Sequence, residues 1–166
     1  MKEGDTMKEK ILRIIEKNSK LTPDELAIML DCSRAEVEAA IAEMEIDKII
    51  CGYPTLIDWD KLSGEKLTAL IEVKVTPQRG QGFDRIAERI FKFDEVETVY
   101  LMSGGFDLTV IIRGKSMREV AGFVSEKLAP MEAILSTATH FVLKKYKENG
   151  IVMQNDEQDE RMLVSP

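Results

Sequence analysis

From Lys66 onward, strand-like and helix-like runs alternate in one order, and that order constrains the fold of this chain more than any other feature. Residues 66–75 (KLTALIEVKV) place Leu67, Ala69, Ile71, Val73 and Val75 at period two, the signature of a half-buried strand. A loop, PQRGQG, leads to a helix over 83–91 whose inward positions are Phe83, Ile86, Ala87 and Ile90. A second strand is expected over 96–102, a tight reversal over 103–107, and a third strand over 108–113. Ser116 caps a second helix running to Leu128, Pro130 stops it, and 134–145 reads as a long fourth strand. The resulting β-α-β-β-α-β order is the split-βαβ, ferredoxin-like arrangement.

Such a sheet carries helices on one face only. Its other face alternates Thr68, Leu70 and Glu72 with Val99, Leu101, Thr109 and Ile111, which is too apolar to stay wet, so pairing with a second copy through the sheet is expected. The run QNDEQDERMLVSP offers little to bury and is expected to be a mobile acidic tail.

The first half is helical. Met7, Ile11, Ile14 and Ile15 repeat at helical spacing over 6–17, with Thr6 as N-cap. Thr22-Pro23-Asp24-Glu25 combines a capping hydroxyl, Pro at the first helical position and an acid at the capping-box position. Leu26, Ala27 and Leu30 form the buried side of that helix. After Asp31-Cys32, Ser33 caps a third helix with Glu36 at the box position and Val37, Ala40, Ile41 and Met44 inward. Two short helices separated by a few residues and preceded by a third match the tri-helical helix-turn-helix pattern, and equally a structural helical hairpin. The segment KIICGYPTLIDWDKL, punctuated by Gly52 and Pro54, reads as extended. The expected organisation is a helix-turn-helix domain with its link over 1–57, a hinge over 58–65, a ferredoxin-like domain over 66–147 and the tail over 148–166.

Charge is distributed unevenly. The chain carries a net charge of -7, and residues 1–60 hold 8 Lys/Arg against 14 Asp/Glu. The third helix itself, SRAEVEAAIAEMEID, sets four glutamates against one arginine. That balance argues against a general polyanion binder. Each glutamate held about 6 Å from a DNA phosphate in high dielectric would cost roughly 0.7 kcal/mol before screening.

Other chemistries find no support. Cys32 and Cys51 lack metal or redox spacing, and His140 has no partner to complete a ligand set, so neither metal nor cofactor is expected. No nucleophile-base-orienter trio, Walker motif or GxGxxG is present, so catalysis is not expected. Arg85, Arg89 and Lys92 are interleaved with Glu88 and Asp94 and read as a solvated face. No signal peptide or membrane-length apolar run is visible, and a cytoplasmic location is expected.

Taken together, the tri-helical start, the KIICGY link, the βαββαβ order, the SGGFD reversal and the closing STATHFVLKKYK run resemble the Lrp/AsnC (leucine-responsive and asparagine-responsive, feast/famine) transcription regulators over about residues 7–147. The resemblance implies an α+β chain whose winged helix-turn-helix domain binds DNA. It further implies that the ferredoxin-like domain assembles dimers into octamers or similar rings and binds a small effector, commonly an amino acid. Carried onto this sequence, the effector region comprises Ser103, Gly104, Gly105, Phe106 and Asp107, with Thr137, Thr139 and Tyr100 as weaker candidates.

The residues suit that role. Adjacent glycines permit positive φ and close ligand approach to main-chain N–H groups, which would meet a carboxylate, while Asp107 would meet an ammonium. Gly104-Gly105 also suffices simply to close a hairpin. Family members usually place basic residues on the outer side of the third helix, where this chain has Ala39, Ala40, Ala42 and Glu43. The DNA-contact candidates are therefore Lys20, Thr22, Ser33, Arg34, Glu36, Glu38 and Lys48, with Lys8 and Lys10 in reserve. A reading of a different class keeps the sensor and gives the acidic helical domain a protein partner in place of DNA.

Overall fold

A computed structural model describes residues 5–62, 66–76 and 82–153. The chain divides into two compact units between Leu56 and Ile57. The first holds α1 (Met7–Ile15), α2 (Pro23–Leu30) and α3 (Arg34–Ile46). Each helix opens on a reciprocal capping box. Thr6, Thr22 and Ser33 accept from the third helical N–H, and Glu9, Glu25 and Glu36 accept from the cap N–H at 2.7, 2.7 and 2.8 Å. The box at Thr6 and Glu9 went unread in the sequence, although it has the same spacing as the other two.

Asp31 ends α2 in the left-handed region at φ 52°, which turns the chain sharply into Ser33. Ile11, Leu26, Val37 and Met44 are fully buried at the centre of this unit, with Ala27, Ala40 and Ile50 closing the core around them. Ala40 thus faces inward, not toward the outer side of α3. Residues 51–58 form no strand, so the expected wing is missing among the described residues: Pro54 lacks an amide donor and Gly52 weakens any ladder there.

The second unit is a four-stranded antiparallel sheet of order β2-β3-β1-β4, built from β1 (Leu67–Val75), β2 (Val96–Leu101), β3 (Leu108–Gly114) and β4 (Ile134–Phe141). α4 (Asp84–Ile90) follows β1 and α5 (Met117–Phe123) follows β3, so the βαββαβ order stands. α5 runs on into a π-helical turn, Val124–Leu128, closed by Ala129 N–H donating to the Val124 carbonyl at 2.8 Å. One sheet face packs Ala69, Ile71, Val73, Leu108, Val110 and Ile112 against Ile86, Ile90, Val120, Phe123 and Leu128. Each fully buried Ile, Leu or Val contributes about 1.5–3 kcal/mol, and this face supplies most of them. Among the described residues, no helix is long and apolar enough to cross a membrane.

The opposite sheet face differs from expectation in one strand. Val96 pairs with Ile112, but Thr98 pairs with Ile111, so Glu97 is an extra residue in a β-bulge. The bulge resets the alternation: Val99 and Leu101 share the inner face with Val110 and Leu108, and Thr98 and Tyr100 turn outward beside Ile111 and Thr109. The outer face is therefore Thr98, Tyr100, Thr109, Ile111, Leu70 and Glu72, flanked by Ala138 and His140 of β4.

The expected hinge and tail also resolve differently. Trp59–Lys61 forms a short 3-10 turn within the expected hinge, and residues 63–65 lie outside the described residues. β4 ends at Phe141, short of Lys145. Lys147–Glu148 (β5) then pairs with Ile151–Val152 (β6) where the tail was expected to begin. Asn149 and Gly150 sit at φ 48° and 81°, the geometry that an Asn-Gly hairpin turn adopts. The remainder of the expected tail, 154–166, lies outside the described residues.

Candidate functional site

The turn between α2 and α3 brings most of the DNA-contact candidates together and ties them to one another. The Thr22 and Ser33 side chains are occupied as caps, and Glu36 is bound back to Ser33. Hydrogen bonds from the Ser33 and Thr22 backbones, and then from their hydroxyls, hold the Glu36 and Glu25 carboxyls below their ordinary pKa. Arg34 donates through Nε to Glu38 at 2.7 Å and through Nη1 to Asp24 at 3.0 Å. The Glu38 hydrogen bond first, then the Asp24 charge, raise the arginine pKa further. Thus the one arginine of α3 is clamped by two carboxylates.

Lysines fare differently. Lys8 pairs with Glu43 across α1 and α3 at 2.6 Å. Lys10 lies on the same helix, half-buried. Lys20, in the turn before α2, and Lys48, at φ 58° after α3, are exposed and form no ion pair among the described residues. The exposed side of α3 carries Ala35, Ala39, Ala42 and Ile46 at helical spacing, with Glu36 and Glu43 on one flank and Glu38 and Glu45 on the other. Glu45 is engaged by the Tyr53 hydroxyl at 2.8 Å. Sequence reasoning missed Asp24 as the clamp on Arg34; the Arg34–Glu38 spacing of four was readable, the cross-turn contact was not.

The effector candidates gather at one end of the sheet. Asp107 is the fastening point: its N–H donates to the Val73 carbonyl at 3.1 Å, its Oδ2 accepts from Val75 N–H at 2.8 Å, and its carbonyl accepts from Met102 N–H at 2.8 Å. Those bonds suspend Ser103, Gly104, Gly105 and Phe106 as a loop beyond β2 and β3. Neither glycine has positive φ, which corrects the conformational argument made from the sequence. The space beside both is open, since a Cβ at either would meet nothing within 4 Å. Thr137 pairs with Val73 beside the loop, and Thr139 with Ile71 one step further; both lie on the helix side of the sheet. Tyr100, opposite Thr109 and 56% exposed, stands on the other face, so the sheet lies between it and the threonines.

No cluster of three or more metal-ligating side chains occurs among the described residues. Cys32 and Cys51 are free thiols, and His140 Nε2 lies 3.3 Å from Glu72 on the outer sheet face.

Comparison with known proteins places this arrangement. Residues 68–152 match the model of the Lrp/AsnC ligand binding domain. The chain is 50% identical over 157 residues to the HTH-type transcriptional regulator YugG of Bacillus subtilis, covering 94% of this chain and 95% of that protein. It is 25% identical to the proline dehydrogenase transcriptional activator of Rhodobacter capsulatus, covering 88% of this chain and 94% of that one. Among solved structures, the transcriptional regulator NMB0573 of Neisseria meningitidis in complex with L-Met superposes with a TM-score of 0.70 at 23% identity, covering 87% of this chain and 92% of that one.

Proposed function

The chain belongs to the Lrp/AsnC family of HTH-type transcriptional regulators, and from that membership we propose that its ferredoxin-like domain senses an amino acid. The observation that carries this reading is the suspended loop at Ser103–Asp107. It offers open main-chain space at two glycines beside a carboxylate anchored to β1, suited to the two charged ends of an amino acid. The structural neighbour solved in complex with L-Met supports the same ligand class, and the relative named as a proline dehydrogenase transcriptional activator is in keeping with it. The reading includes homodimers joined through the outer sheet face and assembled into a ring, acting in the cytoplasm where the DNA lies.

On DNA, the helical unit would dock α3 with few cations, Lys20 and Lys48 foremost, and gain avidity from the second copy of a dimer. Glu38 would accept from a cytosine N4 amine once released from Arg34, and the exposed alanines would meet thymine methyl groups. A second reading draws support from the apolar strip on α3 together with Ile28 and Met29 of α2, 82% and 57% exposed: the helical unit would then bind a protein.

Fluorescence anisotropy of the full chain on its own upstream DNA, across salt and with each amino acid, decides between the two. Saturable binding altered by one amino acid is the expected outcome. Absence of any binding at low salt, with and without amino acids, would turn the assignment to the protein partner.

A further inference from the structure

At the end of the sheet opposite the Ser103–Asp107 loop, three chain segments far apart in sequence converge. Leu67 opens β1 opposite Gly114, the last residue of β3, and Val142, just past β4, donates its N–H to the Thr68 carbonyl at 2.9 Å. The lysines that flank these strand ends, Lys66, Lys115, Lys144 and Lys145, therefore line one groove of about 460 Å³. Among the described residues, no carboxylate shares that lining. In a chain with more acids than bases, four ammonium groups around one concavity are an outlier that neither DNA binding nor amino-acid sensing uses.

The state of each ammonium narrows the ligand. Lys145 is neutralised by Glu148 at 3.0 Å. Lys66 lies over the Trp59 ring at 3.3 Å, and Lys144 lies 5.3 Å from the Tyr146 ring, contacts that fix a cation without cancelling its charge. Lys115 and Lys144 form no ion pair among the described residues; the Glu119 carboxylate near Lys115 is engaged by the Lys115 backbone N–H. Three ammonium groups with no ion pair among the described residues, those of Lys66, Lys115 and Lys144, thus face a concave, partly apolar space that includes Met117 and Leu143, 59% and 93% exposed. A concavity lined by one sign of charge concentrates field and ligand alike.

We propose that this groove is a second ligand site, distinct from the amino-acid loop, and that it takes a small polyanion bearing two or more phosphate or carboxylate groups. One negative charge would leave the ammonium groups mutually repelling; two or three balance them. Lysine ammonium groups, as point charges on flexible stems, accept either oxyanion, so the anion type is read from the experiment.

The test is titration calorimetry of the full chain with pyrophosphate and, separately, citrate, against sodium chloride at matched ionic strength, repeated on a Lys115→Gln, Lys144→Gln double variant. Neither lysine forms an ion pair among the described residues, so the double variant should melt as the parent does. The expected result is saturable binding of pyrophosphate or citrate, whichever oxyanion the groove selects, weakened at least about tenfold in the double variant. Binding matched by chloride, equal affinity in the double variant, or no heat from either polyanion would overturn the proposal. So would a double variant that loses affinity only for duplex DNA, because the groove would then be tracking a nucleic-acid backbone.

Discussion

Arg34, at the first position of α3, reaches across the turn to Asp24 of α2 at 3.0 Å. With Glu38 on its other side, the guanidinium meets two carboxylates before it can meet a phosphate. Both ion pairs are more than two-fifths exposed, so they do little for stability and much for where the charge points. Replacing Asp24→Asn and Glu38→Gln should therefore leave the fold intact and tighten DNA binding several-fold. The salt dependence should steepen by about 0.9 in log-log slope for each phosphate gained. Anisotropy across salt checks this, and an unchanged slope would mean that Arg34 never faces DNA.

Acid should loosen the helical unit through its caps. Glu25 and Glu36 have folded pKa values held below the ordinary glutamate value by hydrogen bonds from their cap residues. Carboxylates of depressed pKa contribute stability above the unfolded value and lose it as pH falls through the folded one. Helicity followed by circular dichroism should thus decline over that acidic window. The Glu25→Gln, Glu36→Gln variant should start less stable at neutral pH and show a flatter acid limb.

Sensing can be separated from folding at Gly105. With ordinary φ and no atom within 4 Å of a built Cβ, Gly105→Val should melt like the parent while narrowing ligand access. Asp107→Ala removes the acceptor for Val75 N–H and should cost about 1–3 kcal/mol in the ferredoxin-like domain. A thermal-shift screen of the twenty amino acids reads both. An amino-acid stabilisation that survives Gly105→Val undiminished would move the site away from this loop.

Self-association is tested at Ile111, half-buried on the outer sheet face between Thr98 and Leu70. Ile111→Glu places a charge in the middle of that face, and light scattering should show smaller particles than the parent. An unchanged particle mass with intact circular dichroism would remove the sheet from the interface.

Much of this was legible in the residues. The β-α-β-β-α-β order follows from period-two runs such as LTALIEVKV, and two helix starts follow from the Thr22–Glu25 and Ser33–Glu36 spacings, because these signals act within a few residues. The Asn149–Gly150 turn had a readable dipeptide but only two-residue strands beside it, too short for a periodic signal. The Arg34–Asp24 clamp and the lysine groove depend on tertiary meeting points, which no local pattern encodes. The glycines of SGGFD misled in conformation because the carboxylate of Asp107, through β1, sets the path of that loop.

The extra residue at Glu97 makes the outer face of the sheet a matter of arithmetic. Accommodated without the bulge, Glu97 would take the place opposite Ile111 and every residue after it would move one place, turning Thr98 and Tyr100 inward and Val99 and Leu101 outward with no side chain changed. What the sheet shows to a neighbouring molecule is thus encoded in the count of residues along one strand as much as in their kinds. A relative that lost Glu97 together with the bulge would present the same outer face, whereas one that kept the residue and lost the bulge would present the opposite one from a nearly identical sequence.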